Sequence, residues 1–386
     1  LRISFDLKNL SDTLDVNVGL ILDNARIASN LLALQADQLT GQIGYQSKTG
    51  FYSTDLTATL FGRPVTVEMG PHLTTRADAV LAAAFQFEAA VADISAWQST
   101  SVAIPAQGVA PVIVKVVVAD VVTVDIQSDL EGVAVDLPLP WGKAAGSRAP
   151  VHVQWNSRAS PAWRAFWFGR FSAVADFSDP GTAIASIDVT PRTRPASRPL
   201  MLPDSGVLLT GFMPSLDLAQ WSSWGIVSTG PSFVETVPVS VQSLRVGQLE
   251  WRGEALGALS LEASVEGVRV DAQFSLPWLR GTFQQQPSLP RRGAVEQLDG
   301  VLNRQLSFAF LDLDGLPDRA DQWVDAVPPT PAEVPPQWTP LVGKVSEIYR
   351  THNSLGDIAL VVDYDPSAGW EFRDITGNFL GIKWLP

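Results

Sequence analysis

Cysteine is absent from the 386-residue sequence, which excludes disulfides and thiolate chemistry. Its absence fits an oxidising compartment in which free thiols are avoided. Histidine is nearly as scarce: His72, His152 and His352 are far apart, and none has a metal-ligand neighbour at i+2 or i+4. The sequence therefore predicts no metal site.

Charged residues are also few, at 17% of the chain, against a usual value of about 25%. Hydrophobic residues reach 46% and the mean hydropathy is +0.13. Such a composition implies either a very large core or apolar surface left over for a ligand, a partner or lipid. The net charge of -13 argues against nucleic acid, because phosphate binding requires basic grooves.

Long uninterrupted apolar runs are missing. None reaches the roughly 18 residues of a membrane-spanning helix, and no signal peptide opens the chain. The nearest candidate, residues 109–126, is interrupted by Lys115, Asp120 and Asp125, and its β-branched residues favour strand. Because the sequence begins inside a strand pattern and stops without a tail, we expect a piece of a longer protein whose anchor lies outside it.

Motifs for catalysis are missing as well. No G-x-S-x-G elbow, Walker loop or G-x-G-x-x-G follows a predicted strand. Asp312, Asp314 and Asp318 hint at calcium, but they lack the full loop spacing and the closing Glu, which favours an Asp-rich turn. Asp363 and Asp365 are explained by a strand edge near a turn. We predict no enzyme and no cofactor.

What the sequence does contain is strand alternation along nearly its whole length. In residues 266–278, for example, apolar side chains alternate with polar ones, which gives the strand one apolar and one polar face. Gly, Asn, Asp and Pro cluster between such runs as turns, and the 29 Gly and 28 Pro disfavour long helices. The sequence predicts an all-β fold.

Short helices are predicted where an Asp stands four residues before a Trp, at Asp93 with Trp97 and at Asp217 with Trp221. Asp is a good N-cap, and a Trp one turn later lies on the same helix face. A third and looser copy spans residues 317–327.

A second phrase is repeated in the C-terminal part of the chain. Arg252, Leu256 and Gly257 correspond to Arg350, Leu355 and Gly356, each set being followed by a strand, a turn and another strand. Such repetition indicates like units added along an axis rather than a closed globule. Between the two copies, the Pro-rich residues 326–340 are interpreted as an extended spacer, or as an SH3-type ligand without basic flanks.

One segment, residues 154–171, is crowded with aromatic side chains and arginines. It holds Trp155, Trp163, Phe166, Trp167, Phe168 and Phe171 among Arg158, Arg164 and Arg170. Two explanations remain open: core packing with arginines that extend to solvent, or a rim that contacts an amphiphile.

Three stretches carry a family resemblance. Residues 39–65 resemble the recurring unit of the YhdP branch of AsmA-like proteins, in the positions of Gly41, Tyr45, Gly50, Leu60, Phe61, Gly62, Pro64 and Val65. Residues 129–146 are similar to the same family's L-G-V-x-x-D-L-P-x-P-x-G-K phrase, at Gly132, Asp136, Leu137, Pro138, Pro140, Gly142 and Lys143. The resemblance covers nearly the whole chain. Residues 206–221 resemble the family's phrase of Gly, strand, Leu-Asp and Trp, and the first Asp–Trp unit departs from it because Ala stands where the second unit has Gly211.

The resemblance implies an elongated, twisted, mostly antiparallel sheet of repeated hairpins, curled into an open groove (a β-taco). It implies a large Gram-negative envelope protein, held in the inner membrane by an N-terminal helix and spanning the periplasm. Such proteins are bridge-like lipid carriers, similar to TamB, that move phospholipid toward the outer membrane. The implied partners are phospholipid acyl chains and, through regions outside this chain, the two membranes.

We expect three parts of one continuous groove: 1–105 and 106–230, each with one Asp–Trp helix, and 231–386 with the repeated hairpins. The predicted groove lining comprises Ile3, Phe5, Leu7, Val16, Val18, Leu20, Val268, Val270, Ala272, Phe274, Leu276, Ile358, Leu360 and Val362.

Two functions remain open at this point: a lipid carrier, or an assembly factor whose groove accepts a polypeptide strand by edge pairing. A carbohydrate-binding sandwich or glycosidase needs exposed aromatic platforms and a facing carboxylate pair, which we do not find in the sequence.

Overall fold

The computed structural model describes residues 2–4, 15–29, 34–47, 49–98, 105–179, 182–194, 199–221, 237–287, 302–312, 341–350, 353–365, 369–379 and 382–384. Strand makes up 70% of the structure and helix 5%. The prediction of an all-β fold with a few short helices is therefore confirmed. The third predicted helix and the Pro-rich stretch lie outside the described residues.

The chain forms two compact units. Unit 1 comprises Leu1–Leu137, Trp141–Pro180 and Pro191–Leu202, and unit 2 comprises Pro138–Pro140, Gly181–Thr190 and Pro203–Pro386. The division into three parts at residues 105 and 230 stays a prediction.

Unit 1 is built from antiparallel strands that pair mainly in chain order. They are β1 (Arg2–Ser4), β2 (Asp15–Ser29), β3 (Leu34–Gln46), β4 (Gly50–Leu60), β5 (Arg63–Met69), β6 (Leu81–Ala90), β7 (Ala106–Val118), β8 (Val122–Ser128), β9 (Val133–Val135), β10 (Val151–Asn156), β11 (Trp163–Trp167) and β12 (Phe171–Asp179). One exception to the order is β9, which pairs with the first residues of β7 and leaves β8 to pair with β10.

Unit 2 combines antiparallel hairpins with parallel joins. Its strands are β13 (Thr182–Asp188), β14 (Val207–Asp217), β15 (Val239–Trp251), β16 (Glu254–Glu266), β17 (Arg269–Leu276), β18 (Leu279–Pro287), β19 (Leu302–Asp312), β20 (Leu341–Arg350), β21 (Asn353–Asp365), β22 (Gly369–Phe379) and β23 (Ile382–Trp384). The pairs β13–β14, β14–β15 and β19–β20 are parallel, and the other recorded pairs of unit 2 are antiparallel. A series of hairpins follows the parallel pair β14–β15, and a second series follows the parallel pair β19–β20.

The two predicted Asp–Trp helices differ at their starts. Helix α1 (Val91–Gln98) begins before Asp93, so the prediction of Asp93 as its N-cap is wrong; the carboxylate instead accepts a bond from Arg63 Nε at 3.3 Å. Asp217 does act as a cap, since its Oδ1 accepts bonds from the backbone N–H groups of Ala219 at 2.9 Å and Gln220 at 3.3 Å. A 3-10 helix covers Pro71–Leu73. None of the helices within the described ranges is long and apolar enough to cross a bilayer.

The repeated hairpins share one irregularity. Leu249 pairs with Gly257 after a register shift in β15–β16, and Ile348 pairs with Gly356 after the equivalent shift in β20–β21. Leu249 and Ile348 are both buried, and Gly257 has a φ of +98°, which a β-carbon would strain. The internal repeat is thus a repeated β-bulge, a feature that bends the strand and increases its twist.

Candidate functional site

In unit 1, alternate residues of the strands turn toward one apolar face. Directly paired residues on neighbouring strands share a face, so the register defines rows of side chains that cross the strands. One row joins Leu56, Val67, Phe85, Val114, Ile126, Val153, Ala165 and Ala173. The next joins Met69, Ala83, Val116, Val124, Trp155, Trp163 and Ala175. We call the face that carries these rows the unit 1 apolar face.

Unit 2 has rows of the same kind. One joins Leu244, Leu261, Phe274, Gly281, Phe308, Val345 and Ile358. The next joins Val241, Ala263, Ala272, Phe283, Leu306, Gly343 and Leu360. The face that carries them is the unit 2 apolar face. Residues between them, such as Glu262 and Gln273, are exposed on the opposite side.

Both apolar faces remain partly open to solvent. In unit 1, the end of the face near β3–β5 is well buried, with Leu39, Leu56, Ala58, Val65 and Val67 at 3% to 7% exposure, and so are Ala83 of β6 and Ala110 of β7. From β8 to β12 the side chains of both rows are half-buried, and in unit 2 so are Leu261, Phe274, Phe283 and Phe308. The interior of a sealed sandwich would bury such central residues almost fully. Apolar surface is therefore left over for a ligand, a partner or lipid. This, rather than a very large core, explains the high content of hydrophobic residues.

The aromatic segment contributes to the unit 1 apolar face. Trp155 and Trp163 are cross-strand neighbours with ring centroids 6.2 Å apart, and Trp167 meets Phe171 edge-on at 5.5 Å. All four rings are half-buried. The guanidinium of Arg170 stacks 4.7 Å above Trp167. These side chains place apolar surface beside a cationic group, an arrangement that suits an amphiphile. Contact with an amphiphile stays a hypothesis.

Beside this cluster, a buried lysine fixes the loop that follows β9. Lys143 is 7% exposed, and its Nζ donates to the carbonyl oxygens of Leu130 at 2.8 Å, Val133 at 2.7 Å and Ala144 at 3.0 Å. An ammonium has three donors, so the three carbonyls satisfy it completely. Burial, followed by the nearby charge of Arg170, lowers the pKa of Lys143. Arg170 in turn donates to Gly142 O at 2.9 Å, which ties the loop to the Trp167 ring.

The family model described as YhdP protein matches residues 1–374. The chain belongs to the YhdP family. Neither the curated proteins nor the solved structures contain a match to it. YhdP proteins are associated with the cell envelope and are not a known enzyme family. The YhdP phrase at residues 129–146 corresponds to the loop held by Lys143, which gives that motif a structural role.

Several of the predicted lining residues come together on the unit 2 apolar face. Phe274 and Ile358 lie in one row, and Ala272 and Leu360 in the next. Val270 and Val362 belong to a third row, and Leu276 pairs with Leu279 on the same side. Val268 was wrongly predicted as a strand residue: it lies in the turn before β17 and is 49% exposed, because β17 begins only at Arg269.

The predicted lining residues of unit 1 lie at its N-terminal strands. Ile3 pairs with Val16, Val18 pairs with Tyr45, and Leu20, which is 54% exposed, pairs with Ile43. Phe5 and Leu7 lie outside the described residues. The lipid-contacting role of the whole predicted set stays a prediction. The central rows of unit 1 were missed, although the alternation in residues 63–69 and 106–118 could have found them.

The polar faces carry groups of a different kind. A shallow depression of about 530 Å³ in unit 2 is lined by polar side chains, among them Ser260, Glu262 and Arg280, together with Leu244, Leu261, Phe274 and Phe308 of the first apolar row. In unit 1, Asp125 accepts hydrogen bonds from His152, Gln127 and Gln154. Burial raises the pKa of Asp125, but the bonds from His152 and the two glutamines outweigh it and lower the pKa overall. Within the described ranges, no three His, Asp or Glu side chains form a metal-binding group.

Proposed function

We propose that this chain is a periplasmic segment of a lipid carrier that passes phospholipid between the inner and outer membranes. The acyl chains would lie against the apolar faces of its units. Anchoring to the inner membrane through a segment outside this sequence is part of the proposal. Membership of the YhdP family supports an envelope role.

The observation that carries the proposal is the apolar row that crosses seven strands of unit 2 without a charged residue; Leu244 at its start is buried, and Leu261, Phe274, Phe308, Val345 and Ile358 are half-buried. Each methylene moved from water onto such a surface gains about 0.8 kcal/mol. Because neighbouring strands present similar side chains at a spacing of about 4.8 Å, that gain changes little when a lipid moves by one strand. A lipid can then slide without crossing a large barrier.

Mass spectrometry of the purified chain tests the proposal. The chain, purified without detergent from a Gram-negative host, should retain co-purifying phospholipid in molar amounts comparable to the protein. A chain that retains no lipid would contradict the proposal, and a bound polypeptide in its place would favour the assembly-factor alternative. A variant with a charge on an apolar face separates specific retention from carry-over, because it should retain less lipid after the same purification.

A further inference from the structure

The polar face of unit 2, opposite its apolar rows, carries two arginines in one row. The row joins Arg245, Ser260, Ser275 and Arg280, which pair directly from strand to strand. Directly paired residues share a face, and each of these four is next in sequence to a residue of the first apolar row, so their side chains point away from the apolar face. Three strand spacings, or about 14 Å, separate the two arginines.

Neither arginine is held by another group of the protein. Among the residues that the structure describes, Arg245 and Arg280 have no ion-pair or hydrogen-bond partner, and both are exposed. By contrast, Arg26, Arg76 and Arg148 each pair with a carboxylate. In a chain with a net charge of -13, the guanidinium groups of this row are thus available to an anion from outside.

A depression lies between the two arginines. Its volume of about 530 Å³ is within the range of small-molecule sites, about 300–1,000 Å³. The four residues of the row line it, and so do Glu262, Gln273 and Thr282 of the next polar row. An adjoining depression of about 380 Å³ shares these three residues and extends to Gln284, but the apolar neighbour Phe283 lines neither depression. Both depressions therefore open on the polar face.

The groups around the larger depression define the chemistry of a fitting ligand. Arginines on either side of the two serines can bind one anionic group from both sides, and a guanidinium fork matches the oxygens of a phosphate. Glu262 has no ion-pair or hydrogen-bond partner among the described residues either. Its carboxylate can only accept hydrogen bonds and repels a bare anion, so the ligand must also bring donors. A phosphate joined to several hydroxyl groups meets both requirements.

We infer that the depression on the polar face of unit 2 binds a phosphorylated sugar or polyol. Its phosphate lies between Arg245 and Arg280, and its hydroxyl groups face Glu262 and the two serines. The site is separate from the proposed lipid path, because the two lie on opposite faces of the same sheet. A lipid whose acyl chains contact the apolar rows does not reach the space between the arginines.

Isothermal titration calorimetry of the purified chain with glucose 6-phosphate tests the inference. A polar ligand of this size should bind with a Kd of about 0.3 mM. Inorganic phosphate lacks the hydroxyl groups that Glu262 accepts and should bind about tenfold more weakly. Glucose lacks the phosphate and should bind at least about a hundredfold more weakly.

Substitutions of exposed residues assign the binding to the depression. Arg245→Gln and Arg280→Gln should each weaken glucose 6-phosphate binding about tenfold or more, since each removes charge-assisted hydrogen bonds. Arg269→Gln is the matched control: Arg269 is exposed on the same face, pairs with Asp271 at 3.3 Å and does not line the depression, so the Kd should stay unchanged. Glu262→Gln should strengthen the binding of inorganic phosphate, because it removes a like charge.

The outcomes are independent of the proposed function. A wild-type chain that binds no glucose 6-phosphate up to about 10 mM overturns the inference. So does binding that persists unchanged in both Arg245→Gln and Arg280→Gln. Equal affinities for glucose 6-phosphate and inorganic phosphate also overturn it, because the site would then recognise phosphate alone. Vesicles of dioleoyl-phosphatidylglycerol should not displace glucose 6-phosphate; displacement would assign the site to a lipid headgroup instead.

Discussion

A positive charge at Phe274 should interrupt the proposed lipid path at one strand. Phe274 lies in the middle of a unit 2 row, and its ring meets Phe308 edge-on with centroids 6.1 Å apart. One strand spacing of about 4.8 Å is matched by roughly four methylenes of an extended acyl chain, and each is worth about 0.8 kcal/mol when buried. Loss of that contact raises the local free energy by about 3 kcal/mol, which corresponds to roughly a hundredfold slower passage.

The assay is transfer of a fluorescent phospholipid between donor and acceptor vesicles by the purified chain. Phe274→Lys should lower the transfer rate roughly a hundredfold if passage over this strand limits it. Gln273→Lys is the matched control, because Gln273 is the exposed neighbour on the opposite face and receives the same charge. Phe274→Leu keeps the apolar contact and should retain most of the transfer.

Folding must be checked alongside, since Phe274 also packs within the sheet. Circular dichroism and the thermal unfolding midpoint of Phe274→Lys are compared with those of Gln273→Lys. A folded Phe274→Lys variant that transfers lipid at the wild-type rate would refute the reasoning, because the apolar row would then not be part of the path.

Three further predictions concern the framework that holds the apolar faces. Lys143→Met removes three hydrogen bonds, although Leu130 O and Ala144 O keep other donors, and at about 1 kcal/mol per bond it should lower the free energy of unfolding by about 3 kcal/mol in denaturant titrations; an unchanged midpoint would show that the loop does not depend on the ammonium. Because the folded-state pKa of Asp125 is lowered, its contribution is present above the unfolded pKa of about 3.9 and is lost as the pH falls through the folded value. Asp125→Asn should therefore be less stable than wild type at pH 7, and the gap should close below about pH 4; a gap that persists at low pH contradicts the sign. Gly108 has a φ of +117°, and a β-carbon there would collide with Gly132 O, so Gly108→Ala should lower the free energy of unfolding by about 2 kcal/mol. Gly19→Ala should leave the thermal unfolding midpoint unchanged, because no atom lies within 4 Å of the added β-carbon.

Much of the fold could be predicted from alternation alone, because a half-exposed strand records its two faces at every second residue. That pattern correctly placed Val270, Ala272 and Phe274 on one side of β17. Alternation does not show which strand pairs with β17 or with β18. Phe274 and Phe308 meet across Gly281 only because three strands pair in a particular register.

The sequence was least informative where polar residues serve unusual positions. Arg304 occupies an apolar position in the pattern Leu302, Arg304, Leu306, Phe308, and it donates to Gln285 Oε1 on the neighbouring strand, a partner that alternation does not indicate. Asp93 was predicted as an N-cap and Val268 as a strand residue, but the helix begins at Val91 and the strand at Arg269. Propensity alone does not place such boundaries to within one or two residues. The sequence showed the YhdP phrase around Lys143, but it did not show the three carbonyl groups to which the Lys143 ammonium donates.

Glycine would be expected to break a row of apolar side chains, and unit 2 has one at Gly281, between Phe274 and Phe308. A β-carbon at Gly281 would lie 2.9 Å from Phe274 Cζ and 2.8 Å from Phe308 Cδ1, so the two rings already cover the space above it. The row therefore stays apolar across β18 although β18 contributes no side chain there. Since rows cross the strands, each added hairpin lengthens such a surface by about 9.6 Å, or two strand spacings, without changing its width. Repetition of hairpins is thus a direct way to extend the proposed lipid path, provided that every strand keeps the register that aligns its apolar residues with those of its neighbour.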